Sequence, residues 1–127
     1  MINPKLLRDS PDIVQTSLMN RGCDPIVFDT LQQLDIDWRQ KQQELESVQA
    51  VRNQSVPKGK PTDIERKKLS ELSLKCKQLK QQVTELKERL DSYSLEIPNI
   101  IQMDTPIGKD ETQNVVIRHV GEQPTFK

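Results

Sequence analysis

From Leu69 to Ile97 the chain carries an unbroken seam: Leu69, Leu72, Cys76, Leu79, Val83, Leu86, Leu90, Tyr93 and Ile97 follow in alternating steps of three and four. Nine such positions amount to about four heptads, enough to specify a helix that packs along a narrow stripe against another helix. Thr62-Asp63 supplies a start signal and Pro98 a stop, which predicts a helix over about 62–96. Upstream, Leu31, Leu34, Trp38, Lys41, Leu45, Val48 and Arg52 keep the same alternation with two basic exceptions. Asp24-Pro25 opens that segment as a cap followed by a first-turn proline, predicting a helix over about 25–54.

Between the two lies Val56-Pro57-Lys58-Gly59-Lys60-Pro61, through which no helix continues. Two matched helices of roughly 45 and 50 Å joined by a short turn are expected to pack antiparallel. Folding about residues 58 and 59 pairs positions whose numbers sum to about 117. Trp38 is then expected near Leu79, Leu45 near Leu72, Leu31 near Leu86, and Lys41 opposite Cys76, where the lysine stem would cross the seam with its ammonium in water. A parallel zipper between two chains is the competing arrangement; the turn and the uneven first seam oppose it.

The ends are different. Asn3-Pro4 and Ser10-Pro11 each place a cap before a first-turn proline, and Gly22 is a plausible stop, so short helices are expected over about 4–20. After Pro98 the chain is a punctuated linker with one strand-like run, Val115-Val116-Ile117, and a lone strand is not stable. The expected fold is therefore all-α: a long antiparallel two-helix coiled-coil hairpin with short N-terminal helices and an extended C-terminal linker. Its organisation is a helical arm over 1–97, followed over 98–127 by a linker and the start of a further domain.

Composition agrees with such a rod. Only 33% of the residues are hydrophobic while 30% are charged, too polar for an ordinary compact core. Disorder is the rival, but it usually accompanies a large net charge, and here 19 basic and 19 acidic residues cancel. No apolar run exceeds three residues, which excludes a signal-peptide core and a helical membrane span and leads us to expect a cytoplasmic protein. Cys23 and Cys76 form no spaced motif and fit a reduced setting; with the single His119 they cannot make a structural zinc site.

The zero total hides a polarised distribution. Residues 48–80 contain nine basic side chains (Arg52, Lys58, Lys60, Arg66, Lys67, Lys68, Lys75, Lys77 and Lys80) against Asp63, Glu65 and Glu71, a net +6. The segments 1–47 and 81–127 are each −3. Six net charges gathered at a projecting end repel one another unless an anion relieves them, and nucleic acid is the natural anion. With four aromatic residues, two of them on the seam, there is no stacking platform for single strands. Lysines on a rod read phosphate positions, hence shape, so a structured RNA is expected. The alternative is a coiled-coil spacer or protein-interaction rod without RNA binding. Asp35 with Asp37, and Glu44 with Glu46, are expected to be ordinary solvated charges. No catalytic constellation, phosphate loop or metal-ligand cluster is visible.

The order of several short motifs resembles the N-terminal tRNA-binding arm of seryl-tRNA synthetases. They are Met1 to Arg8 with Pro11-Asp12, Arg21-Gly22, Arg52-Asn53, Ile97-Pro98-Asn99, and Pro106-Ile107-Gly108-Lys109-Asp110-Glu111 with Asn114 and Gly121. The family often has Ser-Lys-x-Ile-Gly after Arg-Asn; here Gln54 to Pro61 differs in sequence and length. The resemblance implies a parent enzyme that uses ATP and Mg2+ to attach serine to tRNA(Ser), its arm gripping the long variable arm across a homodimer. It also implies that the catalytic residues lie outside residues 1–127, with no cofactor held in this segment and no membrane partner. The RNA contacts would come from Arg52, Lys58, Lys60, Arg66, Lys67, Lys68, Lys75 and Lys77.

Overall fold

The computed structural model describes residues 2–57 and 59–121. Four α-helices follow in order: α1 Pro4–Asp9, α2 Pro11–Asn20, α3 Pro25–Gln54 and α4 Asp63–Glu96, with a 3-10 turn at Glu111–Gln113. The chain's start signals act as local chemistry requires. Asn3 accepts a hydrogen bond from the Lys5 amide, and Asp24 from that of Ile26, each ahead of a first-turn proline. At Thr62 a full capping box forms: the hydroxyl accepts from the Glu65 amide while the Glu65 carboxylate accepts from the Thr62 amide at 2.7 Å. Ser10 departs from expectation, because among the described residues its side chain makes no cap bond. The tight α1–α2 junction gives Ser10 a second role, ending α1 through its own amide to Leu6.

Helix α2 ends in a Schellman motif. The Cys23 amide reaches the Leu18 carbonyl and the Gly22 amide the Met19 carbonyl, with Gly22 at φ 72°. A left-handed backbone there is what requires glycine. The turn sends α3 back across α2, so the short helices pack on the base of the long pair.

Helices α3 and α4 form an antiparallel hairpin. Glu44 meets Lys75 toward the turn, whereas Trp38 meets Lys87 toward the base, so position numbers rise on one helix as they fall on the other. The core falls into two clusters. At the base, Ile2, Leu7, Val14, Leu18, Phe28, Leu31, Leu34, Leu90 and Ile97 are buried together, with Trp38 and Tyr93 packed against them. Toward the turn, Leu45, Val48, Cys76 and Leu79 are buried, with Leu72 and Val83 alongside.

This partition corrects the expected axial register. Trp38 belongs to the base cluster and Leu79 to the distal one, so they are not partners. Lys41 is not opposite Cys76 either; it borders Gln82, Glu85 and Leu86, and its ammonium bonds Glu44 at 2.9 Å. The pairs that meet have numbers summing to 119 and 125 rather than 117, an offset that averages about five residues, between one and two helical turns. A three-four seam repeats every heptad and keeps one face inward at several offsets, so periodicity selects the face but not the offset. The first turn of α4 consequently runs past its partner, and Ile64 there is 83% exposed.

Beyond Pro98 the linker returns over α2, where the Ile101 amide donates to the Ser17 hydroxyl at 2.8 Å. Residues 102–121 are then exposed throughout, and among the described residues no strand forms; Val115, Val116 and Ile117 are open to solvent.

Candidate nucleic-acid interface

The distal half of the hairpin carries the cationic side chains, and the helical screw decides where each points. At 100° per residue, Arg66, Lys77 and Lys80 lie on one flank of the α4 seam, Lys68 and Lys75 on the other, and Lys67 on the back. Arg52 is half-buried in the last turn of α3, where its guanidinium donates to the Asn53 side chain at 3.1 Å. Lys60 is exposed in the turn. Lys58 lies outside the described residues. From the turn to Lys80 the charged surface extends roughly 25 Å along the axis. The candidates thus surround the end of a rod and do not converge on one pocket.

Two of them already have acidic neighbours. Arg66 lies 3.6 Å from Asp63 in the first turn of α4, and Lys75 lies 3.7 Å from Glu44 across the hairpin. Both pairs are exposed, and such contacts hold side chains only weakly. The Lys41 ammonium, bonded to Glu44, is the main reason that its carboxyl titrates below the usual carboxylate range, with Lys75 adding to the effect. Lys60, Lys67, Lys68, Lys77 and Lys80 have no ion pair among the described residues, which leaves their charge available to an external anion.

The base holds the charge pair that sequence reasoning missed. Asp35 is 2% exposed and is gripped by the Arg8 fork: Nε donates to Oδ2 at 2.8 Å and Nη2 to Oδ1, while Arg39 stands 3.8 Å away. Asp35 is therefore not a solvated partner of Asp37, which bonds Gln33 on the surface. The hydrogen bond to Asp35 raises the Arg8 guanidinium further above its already high range. A signal existed in the spacing Phe28, Leu31, Asp35, a second three-four stripe on α3 that faces the short helices.

Among the described residues, no group of three His, Cys, Asp or Glu side chains is placed to hold a metal ion. The cavity between α2 and the linker, about 230 Å³, is lined mainly by Ile13, Thr16, Ile101, Met103 and Ile107. No described helix is long and apolar enough to cross a membrane.

A projecting two-helix arm, cationic at its far end and braced at its base by short helices, defines the class: a helical-hairpin arm domain. Residues 1–101 match the family described as the seryl-tRNA synthetase N-terminal domain. The chain belongs to that family. It is 33% identical over its whole length to serine–tRNA ligase of Pyrococcus horikoshii, covering 30% of that protein, and 32% identical over 99% of its length to the enzyme of Aliarcobacter butzleri, covering 32%. The crystal structure of Pyrococcus horikoshii seryl-tRNA synthetase complexed with ATP superposes with a TM-score of 0.82 at 34% identity, over 95% of this chain and 29% of that one. The cytoplasmic serine–tRNA ligase of Naegleria fowleri in complex with AMP shares the fold, with a TM-score of 0.78 at 21% identity. The chain thus spans about 30% of the length of the relatives it matches.

Proposed function

We propose that this chain is the tRNA-binding arm of a serine–tRNA ligase, in which a larger enzyme uses ATP and Mg2+ to attach serine to tRNA(Ser). The carrying observation is the set of cations without ion pairs among the described residues on a projecting hairpin whose base is acidic. Residues 1–97 form the arm, and 98–127 lead into the body of the enzyme. Arg52, Lys58, Lys60, Arg66, Lys67, Lys68, Lys75 and Lys77 contact phosphates, with Lys80 extending the same surface. Because the cations ring the rod, they recognise the course of an RNA backbone and not a base sequence. A long variable arm offers such a course, and a homodimer lets one subunit's hairpin serve the other's active centre. The enzyme acts in the cytoplasm.

Filter binding of this chain to two transcripts, tRNA(Ser) with its long variable arm and a tRNA without one, tests the proposal. Preferential retention of tRNA(Ser), weakening as salt rises, is expected. Equal and feeble retention of both would assign the hairpin to a spacer or protein-interaction rod instead.

A further inference from the structure

The ion pairs sort the charges of the arm into two unlike halves. In the lower half the basic side chains are largely engaged from within. Arg8 and Arg39 both face the buried Asp35, Lys87 bonds Asp91, and Lys41 bonds Glu44. What remains there is acidic. Asp9, Asp12, Asp29, Glu85, Glu88 and Glu96 are exposed and make no ion pair among the described residues, against Lys5, Arg21 and Arg89. Glu85, Glu88 and Glu96 line one open groove at the base together with Thr30 and Tyr93, and Arg89 is the one cation among its lining residues. A phosphate backbone settling there would meet three carboxylates and a single guanidinium.

Beyond Glu44 the balance inverts. Lys60, Lys67, Lys68, Lys77 and Lys80, without ion pairs among the described residues, outnumber the exposed Glu46 and Glu71. The change of sign is abrupt: Lys80 and Glu85 lie about 7.5 Å apart along the axis of α4, close to the screening length of roughly 8 Å in physiological salt. The two halves therefore act on an anion separately. Carboxylates at the base are too distant to weaken a phosphate held near the turn, at the other end of a helix roughly 50 Å long. They do repel a phosphate laid on the lower half itself.

We propose that the acidic lower half is an excluding surface, which confines an RNA backbone to the distal half of the hairpin and rejects RNAs that would lie along the whole rod. Discrimination is a difference between two affinities, and repulsion of the wrong partner contributes to it as attraction of the right one does. Asp29, Glu85, Glu88 and Glu96 thus act as specificity residues although they touch no correctly bound RNA. The proposal rests on the RNA reading above and adds to it the limit of the footprint.

The test compares the native 127-residue chain with an Asp29→Asn, Glu85→Gln, Glu88→Gln, Glu96→Gln variant, in filter binding at physiological ionic strength. The probes are tRNA(Ser) with its long variable arm and a plain RNA duplex longer than the hairpin. The duplex should bind the variant about threefold or more tighter than the native chain, while binding of tRNA(Ser) should change by less than about twofold. Glu88→Gln with Glu96→Gln serves if the quadruple variant loses its helical circular dichroism, and the same direction is expected of it. An unchanged ratio of the two affinities would overturn the proposal, whether neither RNA responds or both tighten alike. A native chain that retains neither RNA would overturn the RNA reading as well, whereas an unchanged ratio leaves that reading intact.

Discussion

The Arg8 guanidinium grips Asp35 with two donors, joining the first helix to the middle of a helix that begins sixteen residues later in the sequence. Asp35 is nearly inaccessible, whereas the Arg8 side chain is 35% exposed. The carboxylate therefore bears most of the desolvation, and the arginine is what makes its burial tolerable.

Arg8→Ala should leave that carboxylate without its fork and destabilise the chain by about 2 kcal/mol, below the cost for a fully buried pair because Arg8 keeps partial access to water. Chemical denaturation measures it. Asp35→Ala added to Arg8→Ala should cost less than the two single losses combined, and strict additivity would show that the pair is not coupled.

Leu79 anchors the distal cluster and is 5% exposed. Leu79→Ala removes buried methyl groups and leaves a void, so a loss of roughly 2–4 kcal/mol is expected. Leu74, on the opposite face and 58% exposed, is the control: Leu74→Ala should change the denaturation midpoint little.

Acid should weaken both the capping box and the Glu44 contacts. Hydrogen bonds from the Thr62 amide and hydroxyl hold the Glu65 carboxyl below the usual carboxylate range, as the Lys41 bond does for Glu44. A carboxyl that is more acidic in the folded chain stabilises it above the unfolded-state pKa, and the contribution disappears as pH falls through the lower folded value. Melting temperature should therefore drop on acidification below the ordinary carboxylate range, and the Glu44→Gln, Glu65→Gln double variant should show a shallower drop. Identical acid profiles would remove these two groups from the explanation.

Lys60, Lys67, Lys68 and Lys77, four of the five distal lysines without an ion pair among the described residues, should dominate the salt dependence of tRNA binding. If each neutralises one phosphate, replacing all four with alanine should reduce the log–log salt slope by roughly 3 to 4 on the duplex scale. Replacing Lys5, Arg21 and Lys109, at the base and on the linker, should leave it nearly unchanged. A slope insensitive to the distal set would move the interface elsewhere.

The helices were legible because their signals are local. Asn3, Asp24 and Thr62 stand where caps bond to amides within three residues, Gly22 takes the left-handed turn, and the seams from Leu31 and Leu69 repeat with the helical period. The charge asymmetry was legible too, since a hairpin gathers at one end whatever flanks its turn. Which cations remain without ion pairs was not, because Glu44 meets Lys75 only once the two helices are aligned.

By itself, then, the sequence determined the element boundaries, the buried faces and the pole at which positive charge collects. Only the tertiary structure decided how far α4 slides along α3 and that Asp35 is buried under Arg8. The physical reason is common to both. A repeating stripe buries the same face at several offsets, so only long-range contacts at the base, where α1 and α2 close over Phe28, Leu31 and Asp35, select among them.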